Sequence, residues 1–221
     1  LMNTLKQFLN QIKTDFSITV QDAHEIMVNF HEEMRLGLAG EKSSLKMLPS
    51  FVSRPKGTEK GCFLAIDLGG TNIRVLSLIL KGNGKIELQA VNRYTIPHET
   101  MTGTGDMFFD FIAECVQSFL REHTIEMQRT YDLGFTFSFP VEQSSIASGK
   151  LICWTKGFTA SDVEGKDVVL MLTQAFQRKQ IRFIHVSALV NDTVGTLAAK
   201  RYTDPACDVG VILGTGTNAC Y

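Results

Sequence analysis

Phe63-Leu64-Ala65-Ile66-Asp67-Leu68-Gly69-Gly70-Thr71-Asn72-Ile73-Arg74-Val75-Leu76-Ser77-Leu78-Ile79-Leu80 is the stretch that decides the fold. Two strongly apolar runs flank a Gly-Gly-Thr-Asn turn, and Gly82-Asn83-Gly84 then turns the chain into a third run, Ile86 to Ile96. Runs of this length broken by turn residues predict a three-stranded antiparallel meander. Downstream, Phe108, Phe111, Ile112, Cys115 and Phe119 recur at helical spacing, and Val168, Leu172 and Phe176 do so within Gly165 to Gln180. Tyr131 to Phe139 and Ile184 to Val190 read as a fourth and a fifth strand.

Upstream, Leu5, Phe8, Leu9 and Ile12 have helical spacing. Ala23, Ile26, Met27, Phe30, Met34 and Leu38 repeat it after Thr19, an N-cap candidate with Asp22 three residues on. Two helices therefore open the chain. The segment from Pro49 to Gly61, with Pro55 and Gly57 inside it, reads as a connector and places a domain boundary near residue 60. Beyond Asn191, Thr193 to Tyr202 reads as a short helix, and Asp208 to Leu213 as a strand with no sheet to satisfy its backbone. The order strand, strand, strand, helix, strand, helix, strand is that of an actin-like, ribonuclease H-like α/β unit with a mixed five-stranded sheet. On this reading a second lobe is incomplete within these residues.

The 221 residues, 44% hydrophobic, suffice for a substantial core. A net charge of -1, with no basic run interleaved with aromatics, gives no electrostatic footprint for nucleic acid or an anionic membrane. Five scattered cysteines, without a C-x-x-C pair, suggest a reducing compartment, no disulfides and no zinc cluster. His24 and His31 fit surface positions better than metal ligands. The first residues lack the apolar core of a signal peptide, so the cytoplasm is the expected location. The Leu1-Met2 start suggests a trimmed beginning.

Several motifs can carry chemistry. Asp67 interrupts an apolar run just before two glycines, which puts a costly carboxylate at the end of a buried strand and asks for a cation. Gly69 and Gly70 let backbone N–H groups approach an anion, while Thr71 and Asn72 add side-chain donors. The turn can thus cradle phosphate opposite a carboxylate able to hold hydrated magnesium. A tight hairpin turn with a solvated aspartate suits the same residues. A second glycine-rich turn, Gly214-Thr215-Gly216-Thr217-Asn218, again follows an apolar strand, and two such turns facing across a cleft can enclose a polyphosphate. Neither has the Gly-Lys-Ser/Thr ending of a P-loop or the spaced glycines of a dinucleotide site. Gly103-Thr104-Gly105 reads as a loop before a helix.

Asn191-Asp192-Thr193-Val194-Gly195-Thr196 sets a carboxylate directly after a strand. Asp192 there is either a helix N-cap or a general base placed to accept the proton of a substrate hydroxyl. Phe137-Ser138-Phe139-Pro140-Val141-Glu142-Gln143, followed by Leu151-Ile152-Cys153-Trp154-Thr155-Lys156-Gly157-Phe158, gathers hydroxyls, an amide and a lysine into one polar patch between apolar strands. A polyhydroxylated ligand needs such a set for orientation. The alternation of Phe135, Phe137 and Phe139 with Thr136 and Ser138 also suits an ordinary half-buried strand. Pro140 cannot join a ladder, so the strand should stop just after Ser138 and Phe139, leaving a hydroxyl at its mouth.

These motifs stand in the order and spacing of hexokinases, and the chain resembles that family from about residue 20 to Tyr221. The resemblance implies a sugar kinase that moves the γ-phosphoryl of ATP, with Mg2+, to the 6-hydroxyl of a hexose, glucose foremost, with mannose and fructose as alternatives. It implies that Asp67 serves magnesium and phosphates, and that Gly69, Gly70, Thr71, Asn72 and Thr215 hold the nucleotide phosphates with help from Arg74. Ser138, Thr155, Lys156, Asn191 and Asn218 then match hexose ligands, Asp192 the substrate-facing catalytic base, and Lys156 also a group that stabilises developing charge. Residues 1–60 become helices and connector on the large-lobe side, 61–190 the small domain, and 191–221 the start of the large domain. Closure of two lobes would exclude water from Asp192, with Pro140, Gly149 and Gly157 bracketing the loops expected to move.

Hexokinases continue well past the second glycine-rich turn, and their later half supplies two glutamates for the sugar and the segment that grips adenine. The 221 residues alone are therefore expected to be inactive, although the whole protein is an enzyme. A catalytically silent hexose-binding or regulatory module is the second reading. An actin-like ATPase or chaperone fragment is the third and weakest, because Trp154-Thr155-Lys156 has no purpose there.

Overall fold

The computed structural model describes residues 2–125, 129–214 and 216–221. It forms two compact units, Leu1–Leu48 and Pro49–Tyr221. In the first, helix α1 spans Met2–Asp15 and α2 spans Val20–Leu38. Thr19 and Asp22 form the expected capping box: the Thr19 hydroxyl accepts the Asp22 N–H at 3.1 Å and the Asp22 carboxylate accepts the Thr19 N–H at 2.9 Å. Both orphan donors at the helix start are thereby satisfied.

The second unit is built on a five-stranded mixed sheet in the order β3-β2-β1-β4-β7. Strands β1 (Lys60–Leu68), β2 (Asn72–Lys81) and β3 (Ile86–Thr95) are the antiparallel meander, and β4 (Tyr131–Phe137) and β7 (Ile184–Val190) continue it in parallel from β1. Helices α3 (His98–Thr102) and α4 (Gly105–Glu122) connect β3 to β4. A hairpin of β5 (Val141–Ser145) and β6 (Ser148–Leu151), then α5 (Val168–Arg178), connects β4 to β7. Helix α6 (Asp192–Thr203) and a second hairpin, β8 (Gly210–Leu213) with β9 (Thr217–Cys220), follow.

Alternation decides which face of the sheet is buried. Leu64, Ile66 and Leu68 of β1, Ile73 and Val75 of β2 and Leu133, Phe135 and Phe137 of β4 meet Phe108, Ile112, Val116 and Phe119 of α4 and Leu172 and Phe176 of α5 in one core. Each of these fully buried side chains contributes about 1.5–3 kcal/mol through removal from water. Cys115 lies within this core, where burial first, and the neighbouring Glu114 second, push its thiol up to about 12. The thiolate is the reactive form, so brief alkylation of the folded chain at pH 8, read by peptide mass spectrometry, should spare Cys115 relative to the half-buried Cys62, Cys153, Cys207 and Cys220.

The connector is fastened to the β2–β3 turn and to α6, because Gly57 O accepts the Gly84 N–H and Glu59 O accepts the buried Tyr202 hydroxyl. Several expectations about the strands and helices are revised. The apolar strand β8 is not alone but pairs with β9. Strand β4 ends at Phe137, and α5 starts at Val168 because Asp167 caps it.

Candidate functional site

The parallel strands β1, β4 and β7 end side by side. Asp67 is in register with Thr136 and with Arg74, Leu68 with Phe137, and Thr136 with Val190. Their carboxyl ends therefore bring three motifs to one edge: the turn after β1, the Ser138 segment after β4 and Asn191-Asp192 after β7. In open α/β sheets that edge is where ligands bind.

Asp67 lies on the face opposite Ile66 and Leu68, so its carboxylate is part-exposed and not sunk in the core as the apolar run suggested. It pairs with Arg74 directly across the strand pair, Nη1 to Oδ2, at 2.9 Å. The two residues the sequence sets beside phosphate thus meet each other. The turn is closed by the Gly69 N–H donating to Asn72 O at 3.0 Å, and Asn72 Nδ2 donates to the Thr71 hydroxyl at 2.9 Å. Among the described residues the Gly70 and Thr71 N–H groups have no acceptor, which leaves two adjacent backbone donors at the turn. A methyl group on Gly70 would lie 4.0 Å from Lys156 Cδ, so the lysine stem passes beside this turn.

Ser138 is 5% exposed, and its hydroxyl has no partner among the described residues. A buried hydroxyl left without a partner costs about 1–3 kcal/mol, which a polar ligand would recover. Its carbonyl accepts Lys156 Nζ at 2.9 Å, and the ammonium also stands 5.6 Å above the Phe139 ring. Lys156 and Gly157 have φ of 57° and 82°, and Phe158 N–H closes their turn on Thr155 O. Holding a lysine in the left-handed region costs about 1–2 kcal/mol, so the surroundings must enforce it. They do so through Trp154, stacked on Phe158 at 5.4 Å, edge-on to Phe108 and Phe139, and tied by Nε1–H to Ala160 O at 2.8 Å. Thr155 is exposed at the start of this turn.

After β7, Asn191 and not Asp192 is the N-cap of α6: its Oδ1 accepts the Thr193 N–H and hydroxyl at 3.2 and 2.8 Å. Asp192 is thereby the first helical residue, where a negative charge is favoured by the aligned peptide dipoles. Its Oδ1 accepts the Thr193 N–H at 2.9 Å, which leaves Oδ2 without a partner among the described residues. Asn218 on β9 donates to Asn191 Oδ1 at 2.9 Å, which brings these two amides together. Thr215 lies outside the described residues. Among those described, no hydrogen bond joins the two glycine-rich turns, and no group of three or more His, Cys, Asp or Glu gathers to form a metal cage.

Two supports were not foreseen. The β5–β6 hairpin is fastened to β7 by Gln143 Nε2 donating to Leu189 O at 2.8 Å and by Leu189 N donating to Ile146 O at 2.7 Å. Gly210 brings β8 against α6: a methyl there would meet Thr193 O at 2.8 Å and Leu197 Cβ at 3.0 Å. Gly210→Ala should therefore cost about 1–3 kcal/mol in a urea titration and pull Asn218 off Asn191. An unchanged midpoint would show that the helix and hairpin can separate freely.

Residues 8–202 match the family model described as Hexokinase. The chain belongs to the hexokinase family. It is 48% identical to rat hexokinase-1 over 211 residues, 93% of this chain and 23% of that protein. It is 46% identical to the Schistosoma mansoni hexokinase over 96% of this chain and 47% of that one. The solved structure of the Schistosoma enzyme complexed with glucose superposes on this hexokinase-family chain with a TM-score of 0.87 at 45% identity, over 98% of this chain and 49% of that one. A second hexokinase crystal structure gives 0.82 at 37% identity, over 99% and 53%. The actin-like fold expected from the element order, and the sugar-kinase form of it that the resemblance implied, is thus the fold of the chain, which spans between about a quarter and a half of the length of these relatives.

Proposed function

We propose that the complete protein transfers the γ-phosphoryl of ATP to the 6-hydroxyl of a hexose, glucose foremost and mannose or fructose as alternatives, as in the first step of glycolysis. The observation that carries this is the buried hydroxyl of Ser138, without a partner among the described residues, in a residue whose carbonyl accepts Lys156 Nζ, at the same sheet edge as Asn191 and Asp192. Ser138, Thr155, Asn191 and Asn218 would orient the sugar through its hydroxyls. Lys156 would lie against the reacting oxygen and stabilise charge there. Asp192 would take the proton of the 6-hydroxyl as that oxygen bonds to the γ-phosphorus and the bond to the bridging oxygen of ADP breaks.

The residues near β1 fit a metal–polyphosphate: two backbone donors without an acceptor among the described residues, an exposed guanidinium and the part-exposed carboxylate it pairs with match anionic oxygens and a hydrated cation. Asp67 would hold Mg2+, and Gly69, Gly70, Thr71, Asn72, Arg74 and Thr215 the phosphates. Magnesium, when bound, neutralises charge on the transferring group. Residues 61–190 would form the small domain and 191–221 the start of the large one, in a cytoplasmic enzyme. Purified complete protein given Mg-ATP with glucose, mannose or fructose in turn should release ADP only when a hexose is present. Hexose binding without any ADP release would instead establish a silent sugar-binding module.

A further inference from the structure

Between β6 and α5 the chain makes a tight double turn, with Asp162 and Gly165 both in the left-handed region at φ 63° and 78°. Two carboxylates emerge from it and grip the Ser138–Phe158 segment at separate points. Asp167 Oδ2 accepts the Ser148 hydroxyl and the Gly149 N–H while its Oδ1 caps α5, which fixes the β5–β6 hairpin. Glu164 Oε1 accepts the Trp154 N–H at 2.8 Å. The main chain supports the same alignment, with the Gly165 N–H donating to Leu151 O at 2.7 Å and the Leu151 N–H to Lys166 O at 3.1 Å.

Trp154 has two anchors with different jobs. Its ring is held by the aromatic cluster and by Ala160 O, but its backbone N–H, which sets the direction in which the chain leaves toward Thr155 and Lys156, is held by Glu164. Two residues later Lys156 must adopt its left-handed backbone and reach Ser138 O. A displacement of about 1 Å at such a group can cost a hundredfold in rate.

We propose that Glu164 is a positioning residue for phosphoryl transfer: through the Trp154 N–H it aims the Thr155–Phe158 turn so that Thr155 and Lys156 face the Ser138 hydroxyl. The inference rests on the reading of the site as a hexose kinase. It needs an acceptor of the right length and not a charge, so glutamine serves in place of glutamate and alanine does not. Because Glu164 is exposed, its removal leaves the core intact.

The test is steady-state kinetics of the complete protein with glucose and Mg-ATP, for wild type, Glu164→Ala and Glu164→Gln, with thermal midpoints recorded alongside. Glu164→Ala should lose about tenfold in kcat/KM for glucose while KM for ATP moves by less than about twofold and Tm by less than about 2 °C. Glu164→Gln should stay within about threefold of wild type. Wild-type values for Glu164→Ala, or Glu164→Gln as impaired as Glu164→Ala, would overturn the positioning role while leaving the kinase reading intact. A wild type that turns over no hexose would overturn the kinase reading itself, and this inference with it.

Discussion

Asp192→Ala in the complete protein is expected to lower hexose-dependent ADP formation by about 10²–10⁴-fold, the range typical of a positioned general base, and to leave hexose affinity within about threefold. The split follows from the cap geometry. Asn191 carries the capping of α6 and the bond to Asn218, so the helix start survives when Asp192 is shortened. What is lost is a carboxylate oxygen, Oδ2, that no described residue engages. Among the described residues, the only hydrogen bond its partner oxygen accepts is from the Thr193 N–H, which Asn191 also accepts. Isothermal titration with glucose, run beside the ADP assay, separates binding from turnover. Full activity in the variant would show that Asp192 is not the base, and loss of binding in step with activity would show that it acts as a sugar ligand or a structural group.

Phe108→Ala should cost about 3–5 kcal/mol. Phe108 is fully buried, packs edge-on against Phe109 at 5.3 Å, Trp154 at 5.5 Å and Phe158 at 5.6 Å, and joins α4 to the segment that carries Thr155 and Lys156. Its removal opens a cavity between α4 and the Trp154–Phe158 turn and frees one edge of the Trp154 ring. The chain has a single tryptophan, so its fluorescence in a urea titration reports unfolding from this cluster. The midpoint should fall at unchanged slope. A cost below about 1 kcal/mol would mean that the cluster repacks and does not lock the turn.

The parts of the fold that were legible in the sequence are those written in local signals. Gly82-Asn83-Gly84 and the apolar runs around it produce the meander, Thr19 and Asp22 produce their box, and Ile184–Val190 is a strand over the residues expected. The β5–β6 hairpin was not legible because Glu142, Gln143, Ser144 and Ser145 show no alternation; its pairing depends on Leu189 and Asp167, which are far along the chain. Strand β9 was hidden for a similar reason, since Thr217-Asn218-Ala219-Cys220 is too short and too polar to read as a strand.

In the candidate site, the residue types were legible and their pairings were not. Nothing in the run Asp67 to Arg74 says that the two side chains oppose each other; that follows from the β1–β2 register, which places both on the face away from the core. Likewise the sharing of Thr193 between Asn191 and Asn218 requires β9 to exist. Glu164 carries no motif at all. Its contribution depends on a backbone N–H ten residues earlier, and only the double turn at Asp162 and Gly165 brings the two together.

The most direct test of the whole account is the chemical identity of the product: complete protein, Mg-ATP and glucose labelled with carbon-13 at position 6, followed by carbon and phosphorus NMR. The expected result is phosphorus coupling at carbon 6 that grows in step with ADP, one for one. ADP and inorganic phosphate formed at the same rate without glucose, with the labelled sugar recovered unchanged, would contradict it.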